Sequence, residues 1–499
     1  MINKTVKVLL CVTVVATATT VAMGDDYDDF LKKAQEEYGS FKNQSEKEYA
    51  DFRDKANKEY EDFMRKPWTP IEIKPIIPTP PDPSPDPIIL PDNDPKEDPK
   101  PVVIDKIIKP APVEPKPQPI SPIKEDPITV APLPAVNVTL YGTAMSVRGV
   151  DFSGFRLSGS SNQSFADGWK RLCNMGTNNL IRDCLDNRDK FKLSDWAYLK
   201  MIDKIAGKIV STVNERALLT GFLLNQSGYK TRFAVDVNGQ LHVLYAVTGY
   251  IYNASYFSRE DDCYYALTKP SSSTVRICDF TFPKEKAIYM GMREQMKLSF
   301  KAASVRTINV HGYSGVTLSV TPNKNLIDYY NDLPDCTPTR ERYSKWALYA
   351  NVPASEELKR DLYPALRRQI QGKTQAEAAN FLIKVAQSFP YGYDDKIWGY
   401  DRAFFPDESW NYPQSDCEDH AIHFSRLVRD LLGLEVALVY YPGHLASAVA
   451  FTDGSATGDY ITQNGKKWIV CDPTIFYANI GRTMSGMNNS SAVLIFLDR

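Results

Sequence analysis

The chain has 499 residues, long enough for two or three domains, with 43% hydrophobic and 24% charged residues. Its formal net charge of −2 supplies no basic footprint, so nucleic acid is not an expected partner. Residues 1–24 carry Lys4 and Lys7, then an uncharged apolar run from Val8 to Ala22 and a small-residue end at Ala22-Met23-Gly24. That pattern predicts a signal peptide in which Cys11 is removed with the apolar run, too short for a membrane span. The mature chain is therefore expected to have no membrane span and to be exported: periplasmic, cell-surface or secreted.

Residues 25–66 repeat every eleven positions: Tyr27, Tyr38, Tyr49 and Tyr60; Phe30, Phe41, Phe52 and Phe63; Ala34, Ser45 and Ala56. Eleven residues make about three helical turns, so these side chains share one slowly drifting stripe of a long helix. A helix of about 40 residues spans roughly 60 Å and cannot bury such a stripe by itself. Self-association through residues 25–66 is the expected outcome, with docking on a partner surface second.

Residues 67–135 hold 22 of the chain's 34 prolines. Proline fixes the backbone and removes donors, which predicts an extended linker between the helix and globular sequence beginning near Val136. Residues 136–285 read as an α/β domain. Thr212 to Ser227 has helical spacing, followed by strand-like Lys230 to Val237, an Asn238-Gly239 turn and a returning Leu241 to Val247 carrying His242. Residues 286–340 alternate apolar and polar side chains and read as a strand-rich connecting region. Residues 341–499 form the last domain, entered through helical signals between Ser355 and Ser388 and an aromatic-rich loop from Phe389 to Asn411. Those aromatics either wall a groove or pack a core. Besides Cys11 and Cys417 the cysteines are Cys173, Cys184, Cys263, Cys278, Cys336 and Cys471, which permit disulfides (Cys173 with Cys184, Cys263 with Cys278) or free thiols alike.

The chemistry concentrates between Ser415 and Thr474. Cys417 precedes Ala421, Phe424, Leu427, Val428 and Leu431, the spacing of one buried helical face, with Ser415 or Asp416 as N-cap and Gly433 as the stop. A thiol at a helix N-terminus near a protonatable imidazole loses its proton more easily, and the thiolate attacks carbonyls. Glu435 to Tyr441 and His444 to Phe451 read as antiparallel strands about Pro442-Gly443, and Lys467 to Cys471 as a third strand ending in Asp472-Pro473. The order helix, strand, strand repeats that of 212–247, so the earlier segment is either a degenerate copy without its nucleophile or a coincidence of ordinary α/β segments.

Asp416-Cys417-Glu418-Asp419-x-Ala421, Gly443-His444 and Trp468-Ile469-Val470-Cys471-Asp472-Pro473 resemble the transglutaminase-like superfamily of papain-related folds, nearest to the bacterial transglutaminase-like cysteine peptidases, over roughly residues 340 to 480. Ser415 stands where the family usually has glycine, and a small residue is kept. The resemblance implies an α+β fold with a papain-like core, Cys417 on a helix N-terminus, and His444 and Asp472 on antiparallel strands. It makes Cys417 the nucleophile, His444 its base and Asp472 the group that orients the imidazole. The backbone N–H of Cys417 is one oxyanion donor, with Gln414, Trp410 and Tyr412 as further candidates. The expected activity is cleavage or transfer of peptide-type amides through an acyl-thioester, with a protein or peptide substrate and no cofactor or metal. His420 and His423 fall at i+3 and i+6 from Cys417, the last rotated away, so packing is the expected role of both. The competing reading is a non-catalytic binding or assembly protein built on the long helix and the same fold.

Overall fold

Charged and tyrosine-rich sequence with an unbroken eleven-residue period forms one long helix, α1 (Asp25–Met64). The computed structural model describes residues 25–79, 86–89, 98–110, 114–127 and 133–498, without the side chains of 25–31, 41–43, 45 and 46. The signal-peptide region and Tyr27, Phe30, Phe41 and Ser45 of the repeat therefore lie outside the described parts. Among the described side chains the last register of the stripe is docked: Ala56, Tyr60 and Met64 are buried, and Tyr60 packs 4.4 Å from Trp169 and 5.2 Å from Phe280. Tyr38, Tyr49 and Phe52 remain exposed. No described helix is long and apolar enough to cross a membrane.

The proline-rich stretch does not run free over its described residues. It contributes β1 (Thr69–Glu72), β2 (Ile88–Ile89) and β3 (Lys106–Ile108), each laid along a strand of the globular body. Proline is tolerated at a sheet edge because the missing N–H faces outward, and Pro70 of β1 sits opposite Arg276 in such a position. The full reach of an extended spacer is therefore not realised.

Beyond the hairpin β4 (Val136–Leu140) and β5 (Thr143–Val147) come four helices: α2 (Asn162–Asn174), α3 (Asn178–Lys190), α4 (Asp195–Ile209) and α5 (Val213–Gln226). They lead into β6 (Thr231–Val235), β7 (Leu241–Val247), β8 (Tyr256–Arg259), β9 (Asp262–Ala266) and β10 (Thr274–Cys278). The connecting region has the expected strands, β11 (Arg306–Asn309) and β12 (Thr317–Val320), paired with each other, but also a helix, α6 (Lys324–Asp332). Next are α7 (Ser344–Asn351), α8 (Glu356–Ile370), α9 (Gln375–Gln387), the single turn α10 (Asp394–Ile397) and α11 (Cys417–Leu432). The chain finishes with β13 (Glu435–Tyr441), β14 (His444–Ala450), β15 (Tyr460–Gln463), β16 (Lys466–Cys471), β17 (Ile475–Phe476) and β18 (Val493–Phe496). The architecture is mixed α+β. β15 lies in the stretch 453–466, which carries Gly454, Gly458 and Gly465.

Two six-stranded sheets share one strand order. The first runs β1-β10-β6-β7-β9-β8 and the second β3-β18-β13-β14-β16-β15, each preceded by a helix, α5 or α11, that packs on its central hairpin. Directions agree too, except that β1 is antiparallel to β10 whereas β3 is parallel to β18. Both helices start with a capping box, Thr212 with Glu215 and Asp416 with Asp419. The registers align them residue by residue. Tyr441↔His444 closes one hairpin and Val235↔Leu241 the other, while on the faces turned to the helices Ser447↔Cys471 matches Tyr245↔Tyr265. His242, opposite Ala234 on the face turned away from α5, answers to His444, opposite Tyr441 on the face turned away from α11; Val213 stands for Cys417, and no acid stands for Asp472. His242 bonds Asp236 Oδ2 at 3.2 Å and Thr268 Oγ1 at 2.9 Å inside the first sheet.

Candidate active site

α11 begins at Cys417 because Asp416 and Asp419 cap it reciprocally, Asp419 accepting from the Asp416 N–H at 3.2 Å, and it stops at Gly433, whose φ of 66° suits a residue without Cβ. Ala421, Phe424, Leu427 and Val428 are buried as the helical spacing predicts. One turn into the helix, Ser425 Oγ donates to the Ala421 carbonyl at 2.7 Å and Ser447 Oγ of β14 reaches the same carbonyl at 3.2 Å. This shared acceptor holds helix and strand in register. It places the start of β14 against the start of α11, where the Leu445 N–H donates to Cys417 Sγ.

His444 is the first residue of β14, placed there by a two-residue turn with Gly443 at φ 83°. Asp472 directly follows β16, and β16 pairs with β14, so the two side chains meet: His444 Nε2 lies 2.7 Å from Asp472 Oδ2. The other carboxylate oxygen accepts from the Thr474 N–H at 2.9 Å. A carboxylate can only accept, so Nε2 carries the proton and Nδ1 keeps its lone pair. Nδ1 is buried and has no hydrogen-bond partner among the described residues.

The thiol differs from expectation. Cys417 is 2% exposed, and burial, then the charges of Glu418 and Asp416, push its pKa well above the ordinary thiol value. Its S–H points to Glu418 Oε2 at 3.3 Å. The helix N-terminus and the Leu445 amide favour the thiolate, but desolvation beside carboxyl groups outweighs them in this closed arrangement. All seven described cysteines are free thiols, so Cys417 is not in a bridge and neither suggested disulfide forms.

Around the helix start lies a group of buried acids that the sequence reading did not assemble. Oxygens of Asp394, Asp416 and Asp419, and of Asp394, Asp401 and Glu418, come within 4.8 Å of one another. Such hard oxygen donors could hold a divalent cation. Lys345, itself buried, offsets part of the charge from 2.5 Å to Asp401 Oδ2 and 3.7 Å to Asp335 Oδ1. Burial lifts Asp394 to about 7 and, with the neighbouring carboxylates, Glu418 and Asp419 well above the carboxylate range. These residues are scattered between 335 and 419, and no spacing in the sequence links them.

His420 and His423 are packing residues, as expected. Both are buried, held down to about 3 and about 4 by desolvation, and lie among Phe389, Tyr391, Trp410 and Phe476. In the aromatic loop Phe404, Phe405 and Trp410 pack as core, while Tyr400 faces solvent. Among the oxyanion candidates, the Tyr412 hydroxyl is committed to Asn331 Oδ1 at 2.9 Å and Trp410 is fully buried against His423. Gln414 is exposed beside Ser415, which bridges to Tyr391.

Comparison with protein-family models, curated proteins and solved structures returned no match for this chain.

Proposed function

We propose that the chain is an exported, transglutaminase-like thiol enzyme with a papain-like core, which cleaves or transfers peptide-type amide bonds. The observation that carries this reading is the His444–Asp472 bond of 2.7 Å, which leaves a buried, unpartnered imidazole nitrogen at the strand start that also contacts Cys417. In the reaction Cys417 Sγ turns from Glu418 to His444 Nδ1 and gives up its proton. The thiolate then adds to the substrate carbonyl, and the amine leaves with the proton from His444. The resulting acyl-thioester is resolved by water or by a second amine. The Cys417 N–H and the exposed Gln414 amide are the donors suited to the developing oxyanion. Asp472 keeps the imidazole in the needed tautomer. The leader over residues 1–24 supports export to the periplasm, cell surface or medium.

The test is mass-spectrometric trapping of an acyl group on Cys417 with activated peptide esters, alongside iodoacetamide labelling near neutral pH. No acyl adduct, together with labelling no faster than a free thiol, sinks the proposal. A second reading, a binding or assembly protein, is favoured by one observation: the exposed Tyr38, Tyr49 and Phe52 on α1. A Cys417→Ala variant that keeps full biological activity would favour it.

A further inference from the structure

The three proposed catalytic side chains are almost inaccessible: Cys417 and Asp472 are 2% exposed and His444 1%. Beside them runs a piece of the chain's own proline-rich stretch. β2 pairs in parallel with β17, Ile88 opposite Ile475 and Ile89 opposite Phe476. Ile88 joins Ile475, Ala478 and Met484 in a small apolar cluster, while Ile89 faces solvent. Two residues before Ile88, Asp86 accepts a hydrogen bond from the Tyr393 hydroxyl.

Both anchors belong to the walls of the site. β17 starts three residues after Asp472, whose carbonyl and carboxylate accept from Ile475 N–H at 3.4 Å and Thr474 N–H at 2.9 Å. On the other side, residues 390–392 pair with Ser415, two residues before Cys417, through Ser415 N–H to Pro390 O at 3.1 Å and Gly392 N–H to Ser415 O at 3.0 Å. A row of rings connects the two walls: Tyr393 to Tyr391 at 5.5 Å, Tyr391 to His420 at 6.0 Å, and His420 to Phe476 at 6.2 Å. His420 is on the first turn of the Cys417 helix. Asp86–Ile89 therefore spans from the cysteine wall to the aspartate wall, bound at one end by its acid and at the other by its backbone and one isoleucine.

The ledge it lies on is rigid. Gln387 of α9 donates to the Ile475 carbonyl at 2.8 Å and Lys384 to the Ala478 carbonyl at 2.8 Å, so the loop carrying β17 is fastened from below. A short fixed strand whose neighbour is an extended, proline-containing segment is the geometry of strand addition, in which backbone bonds supply affinity and alternate side chains supply selectivity.

Building on the thiol-enzyme reading, we propose that the β17 edge is the substrate-docking strand. The peptide it takes is extended and places a carboxylate two residues before a branched aliphatic side chain; Asp86–Ile89 is its internal mimic, seated there in the resting chain. The acid meets Tyr393, the aliphatic side chain fills the Ile475–Met484 cluster, and an intervening proline costs no ladder bond at this edge.

The experiment uses the full chain and reads peptide-resolved labelling of Cys417 by iodoacetamide for wild type, Asp86→Ala, Tyr393→Phe and Ile88→Asp, with thermal unfolding as the control for folding. Loss of one anchoring bond is expected to speed labelling about fivefold. A synthetic, end-blocked peptide of sequence Asp-Pro-Ile-Ile added in trans should slow it again, and a Lys-Pro-Ile-Ile peptide should not. Unchanged labelling in all three folded variants overturns the proposal, as does acceleration that neither peptide reverses. Failure of the enzyme reading is distinguishable: strap-dependent, peptide-reversible labelling without any acyl adduct rejects catalysis and leaves the docking edge, whereas acyl turnover indifferent to all three variants rejects the docking edge and leaves catalysis.

Discussion

At His444 a single bond does most of the selecting. With Asp472 accepting from Nε2, the lone pair is left on Nδ1, and an amide in place of the carboxylate can present either its oxygen or its NH2 to the ring. Asp472→Asn is therefore expected to preserve folding and lower kcat by roughly 10³ to 10⁴, with the acyl-trapping rate as readout. A second residue works through position alone. Lys384 is buried, bonded to the Ala478 carbonyl, and burial lowers its pKa to about 8. In the unfolded chain it returns to about 10.5, so the unfolded state binds more protons between about pH 8 and 10.5, and stability rises with pH across that window. Lys384→Met should flatten this alkaline rise in the denaturant midpoint relative to wild type; an unchanged profile would mean that the ammonium is solvated in the folded chain.

At the scale of elements, the start of α11 is where stability and chemistry meet. Four buried acids and the partly buried Asp401 stand near one cysteine, and Lys345 between Asp401 and Asp335 is a buried cation on that cluster. Removing one partner of a buried pair leaves the other uncompensated, so Lys345→Met is expected to cost about 3 to 5 kcal/mol in urea unfolding. Glu418→Gln should cost less than about 1 kcal/mol, because burial favours the neutral form of that carboxyl and an amide of the same shape keeps the packing. The helix itself is legible in sequence, because Asp416, Asp419, the apolar face and Gly433 are all local signals. The seam that fixes its height against β14 is not. Ser425 and Ser447 read as ordinary helix and strand positions until folding gives them a common acceptor at Ala421.

At the scale of the whole molecule, the two six-stranded sheets divide the labour. The first keeps the strand order, the preceding helix, its capping box and a histidine, His242, but Val213 stands where the second has Cys417 and no acid stands for Asp472. All thiol chemistry is therefore expected to vanish with Cys417→Ala, without residual turnover from the first sheet. α1 spans two regimes. Tyr60 fills the core against Trp169, and Tyr60→Ala should destabilise by about 3 to 5 kcal/mol, whereas Tyr38→Ala should stay within about 0.5 kcal/mol. If the exposed stripe joins copies, sedimentation of the full chain will show an association that Tyr38, Tyr49 and Phe52 to Ala together abolish; a monomer at high concentration removes that partner.

What the sequence determines alone is whatever depends on neighbours within a few residues: the long helix with its eleven-residue repeat, the boundaries of α5 and α11, the Pro442-Gly443 and Asn238-Gly239 hairpins, and the order in which cysteine, histidine and aspartate arrive. Backbone geometry and capping chemistry are short-ranged, so these features are written in spacing. Tertiary structure decided the rest. It set the wrapping of the proline-rich stretch along both sheets. It also decided the burial that lifts the Cys417 pKa, because burial at a point is a sum over residues distant in the chain. A helix N-terminus alone would lower that thiol's pKa; burial by the folded chain, together with the charges of its neighbours Glu418 and Asp416, raises it.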